Sequence, residues 1–323
     1  MIVIGLTFPA SHDASTAVIR EGELIFVAEE ERFTRHKHAP KEPPLNSLKQ
    51  AFKFLRRLGI KPKDVDAYAV NSDPSSYPIK TRFAFGLVWE SVSLVYNDII
   101  GIKDTLYSLN IFSGNYLFLV EKLIRKAIRD LNEEVPSKIK IYPIRHHLAH
   151  AASAYYFSGY NRATAITVDG AGEAEATVIW KVKDGEFEPI LSMPISYGSL
   201  GLLYEVFADK IGLGVLEGPG KAMGLAPYGT NSKYYEKLRQ FVRITPEGDE
   251  PFHIVKEGKM KTNNLYKFYQ NISDMIVDEK LIKWNPKGEI NQDAANVAWA
   301  VQKVTEEAVL ATAQWAKNHT GED

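Results

Sequence analysis

There is no cysteine anywhere in the 323 residues of this chain. Disulfides and thiolate-held metals are thereby excluded together, so any transition-metal site must be built from histidine and carboxylate. An excess of either charge is also missing: 39 Lys and Arg stand against 40 Asp and Glu, a net charge of −1. No dominant basic field exists to recruit nucleic acid. Long apolar runs are absent as well. The most apolar later stretch, residues 83–101, is interrupted by Glu90 and Asp98 and does not read as a membrane span. The opening Met1-Ile-Val-Ile-Gly-Leu6 has no basic leader and no small-residue cleavage pattern. It reads as a buried strand, and the expectation is a cytoplasmic protein with no membrane partner.

What is present is globular. Hydrophobic residues make up 45% and charged residues 24%, and the length suits one large or two ordinary domains. An approximate internal repeat organises them. Residues 2–7 form an apolar, β-branched run, followed by the turn Ser11-His-Asp-Ala-Ser15, a second run at 16–20, Glu21-Gly22, and a third run at 24–28. Residues 163–168 repeat the plan with Asp169-Gly-Ala-Gly-Glu173, a run at 177–181, Asp184-Gly185, and a strand from Phe187 onward. Each half reads as strand, acidic turn, strand, glycine turn, strand. Hairpins resemble one another in general, but the acidic turn, the Thr that opens the second strand and the glycine turn all recur in order, which favours a repeat.

Helical spacing fills the intervals. Apolar residues at 45, 48, 51, 52, 55 and 58 predict a helix ending at Gly59, before a strand at 65–70. A second helix is expected over 112–131, a strand over 138–142, and helices over 146–158, 205–211 and 293–317. The aromatic-rich stretch 77–110 reads either as an inserted cap or as an ordinary helical hairpin. Two such halves describe the α/β architecture of actin, Hsp70 chaperones and sugar kinases, in which glycine-bearing turns bring backbone N–H groups close to nucleotide phosphates.

Several residue patterns carry chemistry. His146 and His150 stand four apart, so on a helix both project from one face, and Ala149, Ala151, Ala152 and Ala154 leave room beside them. Two histidines are too few for a metal site without a third donor, and a helix whose histidines merely pack on the preceding strand would look the same. His12 beside Asp13 in the first acidic turn suits a general base oriented by a carboxylate, or a turn stabilised by its own polar side chains. The run Glu29–His38 follows a core strand, so Arg32, Arg35 or Lys37 can reach a phosphate or carboxylate; such runs are otherwise solvated faces. Gly214–Lys221 imitates a phosphate loop, but its spacing is wrong and Ala222 stands where Ser or Thr would coordinate Mg2+.

Taken in order, Ser11-His-Asp-Ala-Ser15, Glu29–Arg35 with Lys37-His38, His146–Ala154, Asp169–Glu173 and Glu217–Gly229 resemble one family. It is that of the O-carbamoyltransferases that modify nodulation factors, cephamycins and aminoglycosides such as tobramycin. Their N-terminal domain is similar to the threonylcarbamoyl-transferring tRNA-modification protein. The resemblance implies an α/β, duplicated actin/Hsp70-like domain of the ASKHA, ribonuclease H-like class. It implies two halves, 1–144 with an insertion near 77–110, and 145–323. It implies transfer of a carbamoyl group from carbamoyl phosphate, through an ATP-derived carbamoyl-adenylate, to a substrate hydroxyl.

By the same resemblance, His146 and His150 hold a divalent metal, expected to be Fe2+, with Mg2+ accompanying ATP. His12 serves the acceptor hydroxyl with Asp13 beside it. Asp169, Gly170, Gly172, Glu173, Gly220 and Lys221 bind the nucleotide or adenylate. The family continues beyond a helix like 293–317 into a further strand, a Gly-Gly turn with an Asp that completes the metal site, and a YrdC-like domain. The expectation is therefore a C-terminally truncated domain that works with its missing part in cis or as a separate chain, and a homodimer is compatible. The competing readings are a sugar-kinase-like phosphotransferase and a non-catalytic nucleotide- or metal-binding module of a split enzyme.

Overall fold

A computed structural model describes residues 1–8, 12–73, 117–231, 233–255, 264–278 and 288–322. The expected insertion at 77–110 lies outside the described residues. The chain divides into two compact units, 1–149 and 150–323.

The first unit is built on a five-stranded sheet of order β3-β2-β1-β4-β5: β1 is Ile2–Leu6, β2 Ser15–Arg20, β3 Glu23–Glu29, β4 Ala67–Val70 and β5 Ile141–Pro143. β1, β2 and β3 run antiparallel in succession, whereas β4 is parallel to β1 and β5 is parallel to β4. This is the strand order of the expected ribonuclease H-like half. Glu21 and Gly22 both have positive φ (50° and 85°), the left-handed pair that a two-residue hairpin requires. Helix α1 (Leu45–Arg57) buries Leu45, Leu48, Ala51, Phe52 and Leu55, as its spacing predicts, while Leu58 falls past its end and is exposed. Helix α2 (Leu117–Arg129) buries Leu119, Val120, Leu123, Ile124, Ala127 and Ile128. Both close the core over Ile4, Leu6, Val18, Tyr68 and Val70.

Helix α3 (His146–Ser158) carries the division between the units, which falls between Ala149 and His150. The second unit repeats the meander as β6 (Arg162–Val168), β7 (Glu175–Lys183) and β8 (Glu186–Pro194), antiparallel and in that order. The β7–β8 turn uses Asp184 and Gly185 at φ 51° and 83°, the same left-handed pair as in the first unit. Helices α4 (Leu200–Lys210), α5 (Gly218–Leu225), α6 (Lys233–Phe241), α7 (Leu265–Ile276) and α8 (Gln292–Thr320) follow, with a small hairpin of β9 (Val242–Ile244) and β10 (Phe252–Ile254). Leu203, Phe207, Phe252, Phe268, Tyr269, Ile272, Val297 and Val301 form its core. Asn291 caps α8 by accepting N–H bonds from Asp293 and Ala294.

Some boundaries differ from expectation. The strand expected at 138 starts at Ile141. The helix expected at 205 begins at Leu200, because the Ser199 hydroxyl accepts the Leu202 N–H and caps it there. Helix α5 was not anticipated: three glycines and a proline in eight residues argue against a helix, but Pro219 stands in the first turn, where a missing N–H costs nothing. None of the described helices is long and apolar enough to cross a membrane.

Candidate functional site

Helix α3 is alanine-rich and continuous from its first turn, where the Ala149 N–H bonds the Arg145 carbonyl at 2.9 Å. Its three early histidines therefore separate by face. His147 is buried, 1% exposed, and belongs to the packing. His146 is half-buried and His150 exposed, one helical turn apart on the same side. A carboxylate stands beside them, that of Asp169 at the end of β6. Its Oδ2 lies 3.4 Å from His150 Nε2. His146, His150 and Asp169 each present a ligand atom, all within 4.8 Å of one another. The sequence places Asp169 in a nucleotide turn; the fold also places it beside the histidine pair. The available signal was chemical, since a histidine pair in a chain without cysteine requires a carboxylate.

The turn after Asp169 is held from several directions. Asp169 N–H bonds the Ala176 carbonyl (2.8 Å), Gly172 N–H bonds the Glu175 carbonyl (2.8 Å), and Gly170 N–H bonds the Asp169 carboxylate (2.6 Å). The two glycine amides are thus engaged inside the turn. Glu173 is buried, 1% exposed. Beneath the turn, the Ser199 hydroxyl donates to the Gly170 carbonyl at 2.6 Å and accepts from Leu202 N–H at 3.0 Å. Ser199 N–H in turn donates to the buried Tyr269 hydroxyl (3.2 Å), which donates to the Ile195 carbonyl (2.5 Å). Gly201 has no room for a side chain: a Cβ would fall onto the Gly170 amide and within 2.7 Å of the Asp169 carbonyl carbon. Ser199, Gly201 and Tyr269 went unnoticed in the sequence. A glycine in the first turn of a helix, just after a serine cap, was the clue to a close backbone approach.

The first unit carries a second polar cluster. Asp13 accepts from two rings, His12 Nδ1 at 2.7 Å on Oδ2 and His38 Nδ1 at 2.9 Å on Oδ1. Burial pushes the Asp13 carboxyl up, but the hydrogen bonds from His38 and His12 and the charge of those rings outweigh it and hold the group below its ordinary value. Neighbouring Glu30 is buried and not available to a ligand. It accepts the N–H groups of Asn46 (2.9 Å) and Ser47 (2.8 Å) at the start of α1, and the Asn46 side-chain amide (2.7 Å).

The remaining expected residues are more scattered. Arg32 is exposed and pairs with Glu29 (2.9 Å) and Glu31 (3.5 Å). Arg35 and Lys37 are exposed. Gly220 and Lys221 lie in α5, with open space above Gly220 and Lys221 paired to Glu217 at 2.7 Å.

The chain is similar to several known proteins. The carbamoyltransferase N-terminus family matches residues 3–322. The uncharacterized protein sll1178 of Synechocystis is 27% identical over 313 residues, covering 93% of this chain and 46% of that protein. The nodulation protein NolNO of Sinorhizobium fredii is 28% identical over 250 residues, 76% of this chain and 32% of NolNO. The chain spans less than half the length of either relative. A solved structure of an Aquifex aeolicus member of the Ppx/GppA protein family aligns over the whole chain at 11% identity with a TM-score of 0.34, too slight a likeness to build on.

Proposed function

The chain belongs to the carbamoyltransferase N-terminus family, and from that premise we propose that it is the transferring part of an ATP-dependent O-carbamoyltransferase. The reaction is delivery of a carbamoyl group from a carbamoyl-adenylate to a substrate hydroxyl. The observation that carries the reading is the meeting of His146, His150 and Asp169. Two imidazoles and one carboxylate form the donor set that suits Fe2+ with coordination positions left open. When bound, such a cation supplies a positive charge against which adenylate oxygens are stabilised. A phosphotransferase would have no need of this set.

The chain's own groups supply the rest. As the hydroxyl oxygen bonds to the carbamoyl carbon, the bond from that carbon to the AMP oxygen breaks and AMP leaves. The hydroxyl proton passes to Nε2 of His12, whose Nδ1 faces Asp13. Lys221, in the first turn of α5, and the 169–173 turn are assigned to the AMP side, with Glu173 shaping the turn from within. Arg32, Arg35 and Lys37 are assigned to anionic groups of the substrates. Formation of the adenylate is assigned to a C-terminal part provided in cis or as a separate chain: carbamoyl phosphate loses its phosphate to water, and the carbamate released displaces pyrophosphate from ATP with Mg2+.

Two measurements test this. On the chain alone, Fe2+ titrated anaerobically should bind, and His146→Ala or Asp169→Asn should weaken it at least about tenfold. With the C-terminal part and a hydroxyl acceptor present, ATP and carbamoyl phosphate should yield AMP, pyrophosphate and inorganic phosphate. Release of ADP instead, or undiminished Fe2+ binding in both variants, would overturn the proposal.

A further inference from the structure

We propose that His38 is a positioning residue for His12, acting through Asp13, so that one carboxylate fixes two imidazoles and leaves the second ring nitrogen of His12 as the base. This rests on the role proposed above for His12. Four observations support it. Both rings turn Nδ1 to the same carboxylate, one on each oxygen. The Asp13 backbone is tied to the same residue, since its N–H donates to the His38 carbonyl at 2.6 Å. His38 is itself anchored, its N–H donating to Glu31 Oε2 at 2.7 Å. The chain is also strained here: Asp13 has φ 53°, and Arg35, His38, Ala39 and Lys41 have φ between 40° and 64°.

Non-glycine residues in that region persist only where their surroundings over-determine them, and they concentrate at functional sites. In this cluster the over-determination is visible. Glu31 fixes His38, His38 fixes Asp13 by ring and by backbone, and Asp13 fixes the ring of His12. Accepting Nδ1–H from His12 makes Nε2 its basic nitrogen and stabilises the imidazolium formed when a hydroxyl proton arrives. Asp13, Glu31 and His38 also bring donor atoms within 4.8 Å of one another. Those groups are already joined by the hydrogen bonds just described, which is the arrangement of a relay rather than of an open ligand set.

The test reads ring tautomers by long-range 1H–15N NMR on the chain with EDTA present, each histidine assigned by its own substitution. In the wild type, neutral His12 and His38 should both carry their proton on Nδ1. In His38→Ala, and in Asp13→Asn, His12 should shift toward the Nε2–H form. His38→Asn, whose amide nitrogen replaces Nδ1, should restore the wild-type state, and His38→Gln should not. In protein competent for transfer, His38→Ala should lower kcat about tenfold or more with KM for the carbamoyl donor unchanged. A His12 tautomer unmoved in a folded His38→Ala protein would overturn the inference. So would His38 signals that change when Zn2+ replaces EDTA while those of His12 do not. The tautomer is read without substrate, so absence of carbamoyl transfer would sink the proposed function and leave this result standing.

Discussion

In the first unit β1 lies between β2 and β4, whereas its counterpart β6 pairs with β7 and, among the described residues, with no strand on its other side. The side chains of the two strands differ as well. Ile4 in β1 is 0% exposed, but Ile166 and Val168 in β6 are 36% and 37% exposed. The acidic turns differ too. The first is tied to His38 by ring and backbone hydrogen bonds, with Glu31 holding His38 in turn; the second is pressed against the N-terminus of α4 and pinned by Ser199. A duplicated plan thus keeps its strands and turn residues while the means of holding each turn diverge.

The largest effect expected from that contrast is in the strands. Ile4→Ala should cost about 3 kcal/mol, the range for emptying a buried aliphatic site. Ile166→Ala should cost less, about 1 kcal/mol, because its side chain is 36% exposed. Because the units need not unfold together, segment-resolved hydrogen exchange under increasing denaturant is the suitable measurement. Equal losses would mean that β6 is as enclosed as β1.

Next comes the packing of the second turn. Gly201→Ala should cost about 2 kcal/mol, since the new methyl meets backbone that cannot yield easily. It should also weaken Fe2+ binding, because Asp169 moves with the turn. Gly5 in β1 supplies the opposite case: nothing lies within 4 Å of a Cβ there, so Gly5→Ala should stabilise by about 0.5 kcal/mol. Thermal melts of the two variants, read beside Fe2+ titrations, separate the cases by sign.

Much of the fold was legible because it is local. The alternation that marks β1 to β3 and β6 to β8, the Glu21-Gly22 and Asp184-Gly185 turns, and the 3–4 spacing of α1 and α2 are each written within a few residues. Helices α5 and α7 and the β9–β10 hairpin were not legible, since their burial depends on partners far along the chain, as with Phe252 and Phe268 in one core. The candidate site divides the same way. The i,i+4 histidines announce themselves; that Asp169 joins them, or that Tyr269 supports Ser199 across 70 residues, is decided only by tertiary packing.

The smallest effect concerns pH, and it separates the two turns by kind. Asp13 has a carboxyl group depressed below its ordinary value of 3.8. Its contribution to stability is therefore fully present above that unfolded-state value and disappears as pH falls through the lower folded one. The group is more than half exposed, so solvent screening limits the contribution to less than about 1 kcal/mol. The stability difference between wild type and Asp13→Asn should be present at about pH 5, shrink as pH falls below about 4, and diminish in high salt. Besides the Asp169 carboxylate, which accepts the Gly170 N–H, the second turn is held by the Ser199 hydroxyl and by the backbone that Gly201 meets, and this last contact does not titrate. The Gly201→Ala deficit should accordingly remain constant across the same pH and salt series. Parallel behaviour of the two deficits would show that the turns are held alike after all.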